Sequence, residues 1–541
     1  MKFSVVIPSS SDDAGLAEDY LSYGHINLLP FLEKTFIRYL VDDLAKNTTI
    51  ADRTTGLYVI TSESHRRQYE DALLGANSCF EVRARSAHEP KGILSTIKAT
   101  LASVADPYFI IYGDTIAKDQ VYTALVKEAE QLHEKCPREA WAVVALVEKP
   151  LDFESASQPW KELVRNRWGY ILSEKKALVD QGESHDENTG YEVINERQLF
   201  DIVYRPAYPI LDVSFRNFRP LIESGAMIIS KALCELFLQN EENDPLGLLS
   251  IINAARLSFA RSEFKIRGVI IGSEDWLDIN YPWEYLIAQD YIAERRRWRA
   301  VRGRPQDDLA NGHSVIVNHD QYVAWARRNG LLRDHCSDIN DPPESIDQIQ
   351  NQFYHEYDRK VIGVSRRISL SGSLTLPDHG YKDKPLEMFI GEDAKFTGNC
   401  VLRSGARIGG GATIRSSVVC EDALIDCDAV LEHSVILKGA RILACSVIPY
   451  SIIGEYAEIA GGTMITCERQ DPLGARRAGR YYARCSAIRH HHRFGAIVGD
   501  RAMIGSNTTI QPGRKIGKEA LIYGGTVVLH NVPPRSETKS K

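Results

Sequence analysis

The C-terminal third of the chain carries an apolar residue at every sixth position, in two separate runs. The later run comprises Val498, Ile504, Ile510, Ile516, Ile522 and Val528. The earlier run comprises Ile390, Phe396, Leu402, Ile408 and Ile414. A small or hydroxyl residue stands four positions after most of them. A six-residue period means that a short strand and a turn return the chain to the same face. Three such hexads predict one coil of a parallel β-helix with an apolar interior.

The N-terminal part shows a different pattern, in which strand-like apolar runs alternate with amphipathic helical ones. The predicted strands are Phe3–Ile7, Leu57–Thr61, Tyr108–Tyr112, Trp141–Val147, Gly169–Leu172, Phe200–Tyr204, Ala226–Ile229 and Val269–Ile271. The predicted helices include Phe31–Ala45, Lys91–Val104, Lys118–Lys135 and Pro282–Arg295. This alternation predicts a mostly parallel sheet covered by helices. Ligands of such sheets bind beyond the carboxyl ends of the strands, which directs attention to the loops after Ile7 and Tyr112.

The 541 residues are enough for two or three domains. The patterns predict an α/β domain over 1–299, a linker or insert over 300–360, a β-helix over 361–534 and a disordered tail over 535–541. A net charge of −7 argues against a dedicated partner of nucleic acid or of an anionic membrane surface. No apolar run reaches the roughly 18 residues of a membrane-spanning helix. We therefore expect a cytoplasmic protein without a membrane span.

Several short motifs in the N-terminal part resemble one enzyme superfamily. Tyr112–Thr115 reads Y-G-D-T after an apolar strand, and Trp276–Glu284 reads W-L-D-I-N-Y-P-W-E. Glu89–Gly92 and Ile202–Pro206 add two weaker matches. With the hexads, these motifs resemble the sugar-1-phosphate nucleotidyltransferases, in particular the bifunctional N-acetylglucosamine-1-phosphate uridylyltransferase-like members. The fold that this resemblance implies is an α/β nucleotidyltransferase with a Rossmann-like mixed sheet, followed by a left-handed parallel β-helix of hexapeptide repeats.

The resemblance also implies roles for particular residues. Asp114 and Asp278 match the aspartates that hold Mg²⁺ against phosphate oxygens. Arg205 takes the place of a lysine that meets the sugar phosphate, and Gly92 matches a glycine turn beside the nucleobase. The sequence leaves plainer interpretations open: strand-end aspartates, a surface arginine, and a glycine at a helix N-terminus.

The loop after the first strand departs from the superfamily pattern. Where the superfamily has a glycine-rich turn, this chain has Ser9, Ser10 and Ser11, which remain candidates for nucleotide binding through their hydroxyl groups. Asp12 and Asp13 follow, and the positions of the usual arginine and lysine fall near Ala14 and at Ile26. Losing a charged partner of a desolvated phosphate costs about 2–5 kcal/mol. We therefore expect triphosphate handling to be weakened, altered or absent, unless a residue such as Lys34 or Lys91 compensates.

The β-helix departs from its acetyltransferase relatives in a similar way. The histidine that serves as their general base falls at or near Ala444, and alanine cannot accept a proton. Asn507, Arg514 and Lys515 do occupy positions that resemble the set facing coenzyme and substrate. An arginine-rich stretch precedes the last hexads, and it contains Arg469, Arg476, Arg477, Arg480, Arg484, Arg489, His490, His491, His492 and Arg493. His492 and Arg493 are candidates for acyl-CoA binding or a displaced base, although a solvated loop would have the same composition.

Three functions stay open at this level. The first is a Mg²⁺-dependent nucleotidyltransferase acting on a nucleotide and a sugar phosphate, or handling a nucleotide sugar. The second is an acyl-CoA-dependent acyltransferase on an amino sugar or nucleotide sugar. The third is a catalytically inactive regulatory or assembly subunit whose partner is an intact homologue. The resemblance further implies a homotrimer or a dimer of trimers.

Overall fold

The computed structural model describes residues 1–9, 20–32, 34–74, 76, 80–85, 107–148, 169–174, 191–195, 199–204, 218–233, 264–272, 275–279, 282, 285–286, 288–289, 292, 360–364, 368–375, 386–468 and 493–539. Its contacts divide the chain into two compact units. Unit 1 comprises Met1–Asp12 and Thr35–Asn280. Unit 2 comprises Asp13–Lys34 and Tyr281–Lys541. The domain limits given above stay predictions.

Unit 1 is built on a mixed sheet with helices. Its helices are α1 (Phe36–Lys46), α2 (Thr48–Ala51), η2 (Glu63–His65), α3 (Arg66–Leu73) and α4 (Asp119–Lys135). Its strands are β1 (Phe3–Pro8), β4 (Thr54–Ser62), β5 (Phe80–Arg85), β6 (Tyr108–Ile111), β7 (Thr115–Ala117), β8 (Ala140–Glu148), β9 (Gly169–Glu174), β10 (Glu192–Asn195), β11 (Leu199–Tyr204), β12 (Phe218–Ile229), β13 (Phe264–Gly272) and β14 (Trp276–Asp278). Between β1 and β4 the chain forms η1 (Ile26–Leu28), β2 (Pro30–Phe31) and β3 (Lys34–Thr35).

The main sheet confirms the predicted α/β class, but it is mixed, so the expectation of a mostly parallel sheet was wrong. Its strands run in the order β10-β13-β8-β12-β6-β1-β4-β5, with β9 joined to β12 and β11 joined to β9. β1 lies between β4 and β6 and is parallel to both, whereas β12 pairs antiparallel with β6 and β8. The four residues of β6 are fully buried, as expected for a central strand.

All eight predicted strands are present, and most ends differ by three residues or fewer. β12 and β13 begin eight and five residues earlier than predicted. The first predicted helix begins later than expected, at Phe36, because the Thr35 side chain caps it by accepting a hydrogen bond from the Arg38 amide at 3.4 Å. The helix predicted over 91–104 lies outside the described residues. Among the helices that the structure describes, none combines the length and apolar character needed to cross a lipid bilayer.

The hexads of unit 2 form the left-handed parallel β-helix that the resemblance implies. Its strands are β15 (Lys360–Val364), β16 (Ile368–Thr375), β17 (Leu386–Ile390), β18 (Ala394–Leu402), β19 (Arg407–Ile408), β20 (Thr413–Arg415), β21 (Val418–Val419), β22 (Leu424–Ile425), β23 (Val430–Glu432), β24 (Val435–Ile436), β25 (Arg441–Ile442), β26 (Val447–Pro449), β27 (Ile452–Ile453), β28 (Glu458–Ile459), β29 (Met464–Ile465), β30 (Ala496–Val498), β31 (Met503–Ile504), β32 (Thr509–Ile510), β33 (Arg514–Ile516), β34 (Leu521–Ile522), β35 (Val527–Val528) and β36 (Glu537–Thr538). The last strand falls within the residues that the sequence assigns to a tail.

The middle coils are shorter than three hexads. Ile414, Leu431 and Ile448 stack in register 17 residues apart, so each of these coils holds two hexads and one five-residue step. The missing residue shortens one corner, which turns at Ser416, His433 and Tyr450 with φ between 42° and 47°. This shorter step explains why a strict six-residue ladder cannot be followed through the middle of the domain.

The β-helix presents three outward faces of different character. Face 1 carries Val401, Val418, Val435, Ile452, Ile497 and Lys515, which are all buried. Face 2 carries an uncharged row, namely Thr413, Val430, Val447, Met464, Thr509 and Val527, with the charged residues Arg415 and Glu432 beside it on two of the strands. Face 3 mixes charged and apolar residues, namely Arg407, Leu424, Arg441, Glu458, Met503, Leu521 and Glu537.

A segment from the N-terminal part of the chain belongs to unit 2 and lies along the edge of face 1. This anchored segment, Tyr20–Leu32, runs from the Asp500 coil to the Arg403 coil. The buried guanidinium of Arg403 donates to the Leu32 carbonyl at 2.8 Å and to the Lys34 carbonyl at 2.8 Å. Because the segment's apolar side chains and the outward side chains of face 1 are buried, we infer that the segment shields this face from water.

Candidate functional site

The carboxyl ends of β1 and β6 lie side by side in unit 1. The Gly113 amide, just after β6, donates to the Pro8 carbonyl at 3.0 Å. Ser9 follows β1 and is 2% exposed, and its hydroxyl has no hydrogen-bond partner among the described residues. A buried hydroxyl without a partner is costly, so a ligand oxygen at this position would satisfy it.

A short antiparallel ribbon brings two of the predicted residues together. In this ribbon, β7 pairs with β14, with Asp278 opposite Thr115. One residue further, the Ile279 amide donates to the Asp114 carbonyl at 2.9 Å. The main chains of Asp114, which immediately precedes β7, and Asp278 are therefore diagonal neighbours, although the two residues are far apart in sequence. Asp114 is half-buried.

Contacts around the ribbon restrict its position. The Trp276 indole donates to the Ser224 carbonyl at 2.6 Å, and the Tyr112 amide donates to the Gly225 carbonyl at 2.8 Å. Gly225 has a φ of +78°, and a Cβ there would lie 2.8 Å from the Tyr112 ring and 2.9 Å from the Thr115 hydroxyl. Only glycine combines this backbone conformation with so close an approach.

The donor set fits a hard divalent cation. Mg²⁺ in phosphate-transferring sites is bound through one or two carboxylates together with substrate phosphates, and two aspartates on neighbouring segments supply that chemistry. Within the described part of the chain, no group of three or more His, Cys, Asp or Glu side chains is arranged to hold a metal ion. A two-carboxylate site completed by substrate does not require a third protein ligand.

Several of the other predicted residues lie outside the described residues. They are Ser10, Ser11, Gly92, Arg205 and His492, together with Asp12, Asp13 and Ala14 of the first loop. The arginine-rich stretch is described only at Arg493, which pairs with Glu468 and lies 5.9 Å from the Tyr450 ring centroid. The roles of these residues remain predictions.

The acyltransferase candidates of the β-helix occupy different parts of a coil. Asn507, with a φ of +55°, turns the corner between faces 3 and 2, which is also the corner of Ala444. Arg514 begins the strand of face 1 opposite Ala496. Lys515 points outward on face 1, is 9% exposed, and lies with its ammonium 5.3 Å from the Tyr20 ring centroid. Burial lowers the pKa of Lys515. Within one chain, these side chains do not converge on a single described site.

A stacked pair of rings was missed by the sequence reasoning. The His433 and Tyr450 rings stack at the short corner, with centroids 4.7 Å apart and planes 17° apart. The residues are one 17-residue coil apart, so the signal becomes visible only when the shortened coil is recognised. Burial raises the pKa of Tyr450, and the nearby Arg493 opposes that shift.

The anchored segment introduces a second polar cluster beside face 1. The Tyr23 hydroxyl donates to Glu455 at 2.9 Å, and Asp500 accepts from the Ser22 amide at 2.6 Å and from the Glu455 amide at 2.8 Å. Burial raises the pKa of the Glu455 carboxyl, the Tyr23 hydrogen bond opposes this shift, and the Asp500 carboxylate adds to it. Burial and the charge of Glu455 also raise the pKa of Tyr23 well above its usual value.

Comparison with known proteins supports the same relationship. A family model described as "GlmU-like, C-terminal hexapeptide" matches residues 389–477. The bifunctional protein GlmU of Trichlorobacter lovleyi is 26% identical over 224 residues, which cover 37% of this chain and 48% of that protein. The chain is similar to GlmU and to other sugar-1-phosphate nucleotidyltransferases. This result confirms the resemblance that the motifs indicate.

Two further relatives match shorter stretches. The bifunctional sugar-1-phosphate nucleotidylyltransferase/acetyltransferase of Sulfurisphaera tokodaii is 31% identical over 116 residues, which cover 21% of this chain and 28% of that protein. The putative acetyltransferase YvoF of Bacillus subtilis is 51% identical over 45 residues, which cover 8% of this chain and 26% of that protein. The matches span about half or less of the length of these relatives.

Proposed function

We propose that this protein is a nucleotidyltransferase that joins a sugar phosphate to a nucleotide. In such a reaction, a phosphate oxygen of the sugar phosphate bonds to the α-phosphorus of a nucleoside triphosphate, and the bond to the departing pyrophosphate breaks. The observation that carries the proposal is the 2.9 Å hydrogen bond from the Ile279 amide to the Asp114 carbonyl, because it brings the main chains of two carboxylate-bearing residues side by side.

The residues of this edge would have two roles, namely binding the metal ion and positioning a phosphate group. Asp114 and Asp278 would hold a magnesium ion, which supplies charge neutralisation at phosphate oxygens when it is bound. The buried Ser9 hydroxyl would donate to a phosphate oxygen at the end of β1. Because the first loop lacks the usual cations in sequence, we expect slow turnover or a high KM for the triphosphate.

The test is pyrophosphate release from a panel of nucleoside triphosphates and sugar 1-phosphates, with and without Mg²⁺. We expect Asp114→Asn to reduce the rate by at least about 100-fold, because charge stabilisation at the phosphates is lost. Asp52→Asn, in an exposed turn of the same unit, is the matched control and should leave the rate unchanged. A wild-type protein that releases no pyrophosphate with any pair would contradict the proposal. Nucleotide-sugar binding without turnover would favour the regulatory alternative, which capture of an intact homologue would strengthen.

The acyltransferase alternative has weaker support. Lys515 is buried beside Tyr20, and Asn507 lies at another corner of the coil. Calorimetric titration with acetyl-CoA and CoA separates the two functions: micromolar binding would favour an acyltransferase, and its absence would count against one.

Face 2 is our proposed contact between copies of the chain in a homotrimer. The row of residues from Thr413 to Val527 carries no charge, although Arg415 and Glu432 flank it on two strands of the same face. Met464 and Val527 are 48% and 53% exposed. Apolar surface of this kind is commonly buried in an oligomer. Met464→Glu should lower the mass measured by light scattering, whereas Met503→Glu on face 3 should not; an unchanged mass for Met464→Glu would contradict this assignment.

A further inference from the structure

The proposed metal-binding edge depends on a very short ribbon. β7 and β14 pair over three residues, from Trp276 opposite Ala117 to Asp278 opposite Thr115. A two-stranded ribbon of this length is at best marginally stable by itself. A slip of one residue would change which residue lies opposite Asp278 and would remove the main-chain bond between Ile279 and Asp114. The relative placement of Asp114 and Asp278 therefore requires contacts that hold this register.

One ion pair lies at the other end of the ribbon from these aspartates. Lys118 directly follows β7, and Asp275 directly precedes β14. The Lys118 ammonium contacts the Asp275 carboxylate, and the Lys118 amide donates to the Asp275 carbonyl at 2.9 Å. Two bonds, one through side chains and one through the main chain, thus join the same two residues. Asp275 is 8% exposed, so its charge depends on this partner.

Lys118 also connects the ribbon to a long helix. It is the residue immediately before α4, and its carbonyl accepts a hydrogen bond from the Val121 amide in the first turn of that helix at 2.9 Å. One side of α4 is buried, and it packs against β8, β12 and β13 of the main sheet. The position of Lys118 is therefore defined by the folded sheet and helix, and the ion pair extends this order to the start of β14.

We propose that Lys118 and Asp275 are positioning residues, which set the register that puts Asp278 beside Asp114. The assumption that this edge binds a metal ion rests on the proposed function. The register of β7 and β14 can be tested without that assumption. Neither residue is assigned contact with the reacting groups. Neither residue belongs to the motifs Tyr112–Thr115 and Trp276–Glu284, and the sequence gives no local sign of the ion pair.

The primary experiment measures Mn²⁺ binding to the full chain by electron paramagnetic resonance, in the presence of a nucleoside triphosphate. We expect Lys118→Met to raise the Kd for Mn²⁺ about tenfold, as is typical when an outer support of a metal site is removed. Lys118→Arg keeps the charge and should bind within about twofold of wild type, since the ion pair can form again. Asp114→Asn provides the reference for loss of a direct ligand.

A matched control separates positioning from general destabilisation. Arg267→Met breaks the ion pair with Glu128, which joins β13 to α4 and has a similarly buried carboxylate. This variant should lower the melting temperature at least as much as Lys118→Met and leave Mn²⁺ affinity unchanged. Equal weakening of Mn²⁺ binding in both variants would overturn the proposal, because the effect would then follow stability alone.

Amide hydrogen exchange gives a second, metal-free readout. Lys118→Met should speed exchange in peptides that cover 115–117 and 276–279, and Arg267→Met should not. Unchanged Mn²⁺ affinity and unchanged exchange in a folded Lys118→Met protein would overturn the inference. If wild-type protein does not bind Mn²⁺, the proposed metal site fails, while the exchange data still decide whether the ion pair sets the register.

Discussion

The candidate residues are arranged in opposite ways in the sheet of unit 1 and in the β-helix of unit 2. In the sheet, Asp114 and Asp278 are far apart in sequence and become neighbours where two strands pair. In the β-helix, Asn507 and Arg514 are close in sequence and lie at different corners of the coil. Strand pairing joins distant segments, whereas a hexad assigns each position to a corner. Nearness in sequence is thus a poor guide to a shared site in the β-helix.

The largest expected effect comes from crowding the sheet edge. Gly225→Ala places a Cβ 2.8 Å from the Tyr112 ring and should shift the loop that carries Asp114. We expect pyrophosphate release to fall by about 100-fold, because displacements near 1 Å can cost this much. Gly513→Ala is the control, since Gly513 also has a positive φ, +71°, with nothing within 4 Å of an added Cβ. Equal rates of pyrophosphate release by the Gly225→Ala and Gly513→Ala variants would contradict this prediction.

The next effect concerns the anchored segment. Arg403→Met leaves the Leu32 and Lys34 carbonyls without their donor in a buried place, so we expect a loss of about 3 kcal/mol in the free energy of unfolding. The control is Arg415→Met, whose exposed pair with Glu432 should contribute about 0–1 kcal/mol. Urea unfolding measures the free energy of unfolding of both variants. Similar losses would mean that the segment adds little to the stability of unit 2.

A smaller effect distinguishes the β-helix candidates from one another. Lys515 is buried beside Tyr20, so Lys515→Met should change CoA affinity by less than about twofold, if CoA binds at all. Arg493→Met removes a 44% exposed cation and should weaken binding by about fivefold, a typical loss for a phosphate contact near the surface. Calorimetric titration with CoA measures the affinity of each variant. A larger loss for Lys515→Met would show that the segment moves aside for the ligand.

The smallest effect is a pH dependence at Glu455. Its pKa is raised in the folded protein, so folding favours the protonated form, and this stabilisation is lost as the pH rises through the folded pKa. Glu455→Gln stays neutral and can still accept from Tyr23. We expect a melting temperature about 2 °C higher than wild type at pH 7 and no gain below pH 4, measured by calorimetry. A gain that persists at pH 4 would contradict this explanation.

Much of the fold was predictable because its signals are local. Alternation and apolar runs gave eight strands of unit 1, and the hexads gave the interior column from Ile390 onward. The short motifs around Asp114 and Asp278 indicate these residues as metal ligands, and that role stays a prediction. The pairing of β7 with β14, the support from Gly225 and the Lys118–Asp275 ion pair were not predictable, because each depends on segments separated by more than a hundred residues.

The sequence by itself determined the two architectures, because periodic apolar residues specify which side of each strand is buried. It did not determine the three faces of the β-helix. Face 1 carries mostly apolar outward residues, and their burial follows from tertiary packing that includes the anchored segment Tyr20–Leu32. Likewise, only strand pairing decided that Asp114 and Asp278 are neighbours. Local periodicity sets the burial of a position, whereas the identity of its neighbour follows from how distant segments pack.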